Sequence, residues 1–156
     1  MNNSLIQDAS RLLQTQLAPE SGIAPEASEV SQLLSDAARI LAASPLPPLR
    51  SARILALYLA VRLAMKYHEE CANAESRLAR NLLDGDYLYS LYLDLALKWE
   101  EYDFVALLAP AIKKVQIGRA EGRPQDELLV QGLSRFVRTE NKMLQEAAQP
   151  LAAEAM

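Results

Sequence analysis

Apolar residues recur along this chain at spacings of three and four, the period of a helix that buries one face. Residues 26–43 show it most plainly, with Val30, Leu33, Leu34, Ala37, Ala38 and Leu41 on one side. Residues 4–17 repeat the pattern with Leu5, Leu12, Leu13 and Leu17, and it stops in a segment that holds Pro19, Gly22 and Pro25. This N-terminal helix and its linker, residues 1–25, are expected to dock loosely. The stretch "SPLPPL" closes the second helix. Pro45, Pro47 and Pro48 cannot continue a helix, but Pro48 suits the first turn of the next one, where a missing N–H costs nothing.

Residues 49–71 are apolar around most of a helical circumference through Ile54, Leu55, Leu57, Tyr58, Leu59, Val61, Leu63 and Met65. A helix of that kind is a central one. A shorter helix is expected over 73–83, another over 101–120 with a kink or break at Pro110, and a closing one over 125–149 with Leu128, Leu129, Leu133, Phe136, Val137 and Leu144 inward. Residues 26–149 thus form one helical domain, and 150–156 a frayed tail that starts at Pro150.

The stretch "LLDGDYLYSLYLDLALKW", residues 82–99, fits two periods. Leu91, Leu93, Leu95 and Leu97 alternate with Tyr92, Asp94, Ala96 and Lys98 as in a strand, while Leu88, Leu91, Tyr92 and Leu95 repeat as in a helix. A lone strand in a helical chain would leave its backbone donors and acceptors without partners, so a helix is expected. Gly85 and Asp86 are expected to separate it from the preceding helix, Gly85 as a left-handed end and Asp86 as a cap.

Composition strengthens the helical reading. Leu and Ala dominate, Gly is only 5 and Phe only 2, which points to an all-α, single-domain helical bundle. A net charge of -4 with no basic block excludes an electrostatic footprint for nucleic acid. A single cysteine, Cys71, excludes an intrachain disulfide framework and fits a reducing compartment. The N-terminus has no basic, apolar secretion signal, and the apolar run Ile54 to Val61 is too short to cross a bilayer. A cytoplasmic protein with at most peripheral membrane contact is expected.

Candidate chemistry is sparse. Asp84 and Asp86 around Gly85 do not give the i, i+4 carboxylates that converge on one magnesium ion. His68, Glu69 and Glu70 are adjacent on a helix, diverge by about 100° per residue, and are not an H-E-x-x-H site. His68 is the one histidine, so no serine or cysteine has a base, and no phosphate-cradling glycine loop exists. Arg77, Arg80, Lys113, Lys114, Arg119 and Arg123 form an alternative diphosphate site if the fold gathers them. No catalytic residue, metal ligand or bound cofactor is expected in this chain.

The segment Leu82-Leu83-Asp84-Gly85-Asp86-Tyr87-Leu88-Tyr89-Ser90 resembles the "LAGDYLYS" segment of trans-isoprenyl diphosphate synthases, where Gly-Asp opens a long helix. Upstream, "AMKYHEECA" is similar to the helix that in that family ends in the first DDxxD magnesium motif. Downstream, "LLAPAIKKVQIGRAEGR" is similar to a later family helix, and the likeness covers roughly residues 27–145. The departures are as informative. Glu69-Glu70 followed by Cys71-Ala72-Asn73 does not make the metal motif, and the stretch up to Gly85 is too short for the family's basic loop. The isopentenyl diphosphate segment and the second aspartate motif are missing as well.

Such a shortened chain resembles the small subunit (component 1) of the two-component hexaprenyl and heptaprenyl diphosphate synthases, a truncated isoprenoid synthase fold. The resemblance implies a separate catalytic large subunit that carries both aspartate motifs and Mg²⁺, as a heterodimer that makes long prenyl chains for menaquinone-type quinones. Tyr87, Leu88, Ser90, Leu91, Leu95 and Trp99 are then expected at the partner interface or the wall of the product tunnel, with helix 101–120 beside them. An exposed apolar helix also implies a possible homodimer when the chain is alone.

Overall fold

The computed structural model describes the backbone of residues 2–71 and 77–154 and the side chains of residues 2–71 and 77–148. Among the described residues it is an all-α, single-domain bundle without strands. Its helices are α1 (Asn2–Gln16), α2 (Ala27–Ala42), α3 (Pro48–Glu70), α4 (Leu78–Lys98), α5 (Tyr102–Ala120) and α6 (Glu127–Glu154). A short 3-10 turn, Pro19–Ser21, lies between α1 and α2 and ends at Gly22 with φ 67°. The expected start of a helix at Asn73 falls outside the described residues. The tail expected over 150–156 falls partly outside them, α6 being helical to Glu154.

α3 is the axis. Ile54, Leu57, Leu59, Val61 and Leu63 point to different sides of it and are all buried, because α1, α2 and α4 pack around it. Pro48 opens it in the first turn, as its missing N–H dictates. α5 and α6 pair with each other and meet the rest through α4 and α2 respectively. The expected loose docking of the N-terminal helix is corrected by the packing. α1 lies against both α3 and α2 and buries Ile6, Ala9 and Leu13, while Leu5, Leu12 and Leu17 are partly buried beside them. Sequence spacing picked a neighbouring stripe, one that overlaps the buried face at Leu13.

Two polar devices tie α5 and α6 to the axis. Arg50 of α3 donates to Glu101 at 2.8 Å and to Glu140 at 2.8 Å, both carboxylates being buried, and its guanidinium lies 5.7 Å from the centre of the Phe136 ring. Hydrogen bonding to Glu101, opposed by burial and helped by Glu140, holds the Arg50 pKa above its ordinary value. Arg119 of α5 donates to the Met65 carbonyl of α3 at 2.9 Å. Between them runs an aromatic ladder, Tyr92 to Phe104 at 6.5 Å and Phe104 to Phe136 at 5.1 Å, both edge-on.

The α4–α5 turn is tight. Glu101 N–H donates to the Ala96 carbonyl and Glu100 N–H to the Leu97 carbonyl, with Glu100 left-handed at φ 58°. This is a Schellman end, of the kind in which glycine usually stands. α5 ends in the same way at Gly122, φ 74°, with Arg123 N–H on the Gly118 carbonyl. Pro110 lies inside α5 and does not break it.

Candidate functional site

The two segments that carry the sequence resemblance meet where α4 crosses α3. At Gly85 a Cβ would stand 2.3 Å from the His68 ring and 3.0 Å from the Ala64 carbonyl oxygen. Glycine is therefore required by close helix approach. Gly85 and Asp86 do not cap or end a helix: α4 runs unbroken from Leu78 to Lys98, and Gly85 is not among the positive-φ glycines. The expected boundary fails because a glycine that ends a helix and a glycine that lets another helix touch look alike in one sequence.

Asp86 accepts from, or shares a proton with, His68 Nε2 at 2.9 Å. Two residues earlier Asp84 accepts from Arg80 at 3.2 Å, and Arg80 also donates to the Ser21 carbonyl. Tyr87 then accepts the Ala18 N–H at 2.9 Å. The linker after α1 is thus clasped to α4 by Arg80 and Tyr87. Tyr67, close by on α3, has its phenol pKa pushed up by burial, with Glu29, Asp84 and Glu70 adding to the rise.

The C-terminal end of α3 sends its acidic residues in different directions. His68 faces Asp86, whereas Glu69 lies 3.6 Å from Arg119. Arg119 also holds Asp126 through two hydrogen bonds, at 3.1 and 3.2 Å, and Lys66 pairs with Glu29. Glu29, Lys66, Glu69, Arg119 and Asp126, with Arg62, line a cavity of about 170 Å³ in which three cations balance three carboxylates. Among the described residues no group of three or more His, Cys, Asp or Glu is placed to hold a metal ion. Of the basic residues considered for a diphosphate, Lys114 and Arg123 line one cavity together with Glu121. Arg80 serves the α1 linker, Arg119 the Asp126 pair and Arg123 the neighbouring Glu121, and Lys113 and Lys114 are exposed on α5.

The residues expected at a partner interface divide. Leu88 and Leu95 are 0% and 1% exposed, so the chain's own core has claimed them and neither is free to meet a partner. Tyr87, Leu91 and Trp99 are half-buried, packed against the same core, with Arg53 stacked 5.5 Å from the Trp99 ring. Ser90 alone of the six is exposed. The stripe Leu88, Leu91, Tyr92, Leu95 that identified the helix is its inward stripe. The apolar outer face lies opposite, at Leu82, Leu83, Leu93 and Leu97, with Leu78 at its start and Tyr102 of α5 just beyond its end. Leu83 and Leu97 are 65% and 62% exposed, which leaves large side chains in water with no cover from the chain itself.

No family model, curated protein or solved structure matches the chain.

Proposed function

We propose that this chain is the non-catalytic small subunit of a two-component long-chain polyprenyl diphosphate synthase, supporting the activity and product length of a separate catalytic subunit. One observation carries the reading most directly. The "AMKYHEEC" and "LLDGDYLYS" segments, on the consecutive helices α3 and α4, are packed together at the Gly85 crossing, so the two halves of the resemblance share one place in the fold. At that place His68 and Glu69 are engaged by Asp86 and Arg119, a use of these side chains as structural ties. Mg²⁺ and the aspartate motifs belong, on this reading, to the partner.

The outer leucines of α4 supply what such a subunit needs. Burying Leu83 and Leu97, 65% and 62% exposed, against another protein contributes roughly 1–2 kcal/mol each, and Leu93, 36% exposed, contributes less, before the cost of association. The corresponding helix of the catalytic subunit, which forms part of the wall around a growing prenyl chain, is the natural surface to brace.

Co-expression tests this. The tagged chain is expected to retain a DDxxD-bearing large subunit through purification, and Leu93→Glu with Leu97→Glu is expected to release it while leaving the helical circular dichroism unchanged. A chain that retains some other protein and no synthase subunit would instead be a helical interaction module without prenyl chemistry.

A further inference from the structure

The exposed residues at the centre of the outer face of α4 are Ala79, Leu83, Asp86, Ser90, Leu93 and Leu97. Their spacing is four, three, four, three, four, the seam of a two-helix coiled coil. The order is also symmetric about residue 88. Set against a second α4 running the other way, Ala79 meets Leu97 of the second copy, Leu83 meets its Leu93, and Asp86 meets its Ser90. Each layer is complementary: small against large, leucine against leucine, and a carboxylate that accepts the hydroxyl proton of serine. On one flank the same operation brings Arg80, which holds Asp84 and the Ser21 carbonyl through two of its nitrogens, beside the exposed Asp94 of the other copy, opposite in charge and repeated twice by the symmetry.

From this we infer that α4 pairs with α4 of a second copy of this chain, antiparallel, in a symmetric dimer centred near residue 88. The polar Asp86–Ser90 layers fix the direction and register, since a shift by one heptad places a carboxylate against leucine and a reversal places it against the Asp86 carboxylate of the other copy. Asp86 keeps its bond to His68 in this arrangement, because one carboxylate oxygen holds the ring and the other is free for the serine. The seam is about 27 Å long, which makes a contact at the small end of stable interfaces. The dimer is therefore in exchange with monomer, and a catalytic subunit that offers the same kind of face displaces the second copy.

The pairing does not depend on the prenyl reading, and its test uses no prenyl substrate. In a Cys71→Ser background, Leu83→Cys with Leu93→Cys is expected to give a covalent dimer on mild oxidation, while neither single cysteine does. Residues 83 and 93 lie about 15 Å apart along one helix, too far to bridge within the chain or between like positions of an antiparallel pair. Sedimentation velocity of the unmodified protein is expected to show mass that rises with concentration toward two chains, and Leu93→Glu to weaken that association at least about tenfold. Covalent dimers from either single variant would mean a parallel pairing, and a protein that stays monomeric at every concentration would mean none. Either result overturns the inference and leaves the small-subunit reading to its own test.

Discussion

A methyl group added at residue 85 would meet the His68 ring at 2.3 Å, and two opposed magnitudes set the effect on stability. Helix propensity favours alanine over glycine by about 1 kcal/mol. Forcing a methyl into a filled contact costs about 1–3 kcal/mol, here because the ring must leave Asp86 as it moves. The clash wins, and Gly85→Ala is expected to destabilise the protein by about 1 kcal/mol in urea denaturation. In a His68→Ala background most of that loss should vanish, with the Ala64 carbonyl at 3.0 Å accounting for the remainder. Equal losses in the two backgrounds would contradict the contact. Tyr92 offers a second test at this scale. It is 1% exposed, its hydroxyl has no hydrogen-bond partner among the described residues, and burial pushes its pKa up. Above about pH 10 the unfolded chain gives up the phenol proton while the folded chain keeps it. The unfolded state then binds fewer protons, so stability is full below that pH and falls as pH rises. Tyr58 and Tyr67, also raised by burial, act in the same sense. Tyr92→Phe should gain about 1 kcal/mol near neutral pH and lose stability less steeply in alkali, as measured by urea melts across the alkaline range. An unchanged alkaline slope would count against the assignment.

Helix boundaries show where one sequence is legible and where it is not. The 3.6 period marked α2, α3 and α5 nearly to the residue, since proline clusters and continuous apolar stripes each have a single physical reading. The sequence expects a boundary between two helices at Gly85, whereas α4 runs through it to Lys98 and, close to the expected end at Trp99, the left-handed position is taken by Glu100. Nothing in the composition of "KWEEYD" announces a left-handed residue, because the turn is enforced by the pairing of Phe104 and Tyr92 that folds α5 back on α4. A non-glycine residue in that region costs about 1–2 kcal/mol. Glu100→Gly is accordingly expected to stabilise the protein by about 1 kcal/mol, less than the full strain because glycine is freer when unfolded. A loss of stability would mean that the Glu100 side chain contributes something its exposure does not suggest. Which face of α4 the core takes is hard to read for a related reason. Periodicity locates two faces of an amphipathic helix and, in one apolar all round, does not say which of them the core takes. Leu88 and Leu95 went inward, and Leu83, Leu93 and Leu97 were left outside.

At the scale of the whole molecule, the bundle is organised around an axial helix whose every side is covered, and a peripheral helix whose outer side is not. The covered side of α4 is held by the Gly85 crossing, the aromatic ladder and the clasp to the α1 linker, so its outer leucines are presented on a fixed surface. Arg50, joined to Glu101 and Glu140, fixes the α5–α6 pair to the same axis. The apolar outer face of α4 on this bundle is the feature on which the proposed small-subunit reading rests. Reconstitution reads that claim out in one experiment. The purified chain, given isopentenyl and farnesyl diphosphates with Mg²⁺, is expected to make no product, and a DDxxD-bearing large subunit is expected to make long prenyl diphosphates only once the chain is added, the chain length being read by mass spectrometry. Turnover by the chain alone, or a large subunit whose rate and product length are the same with and without it, would contradict the account.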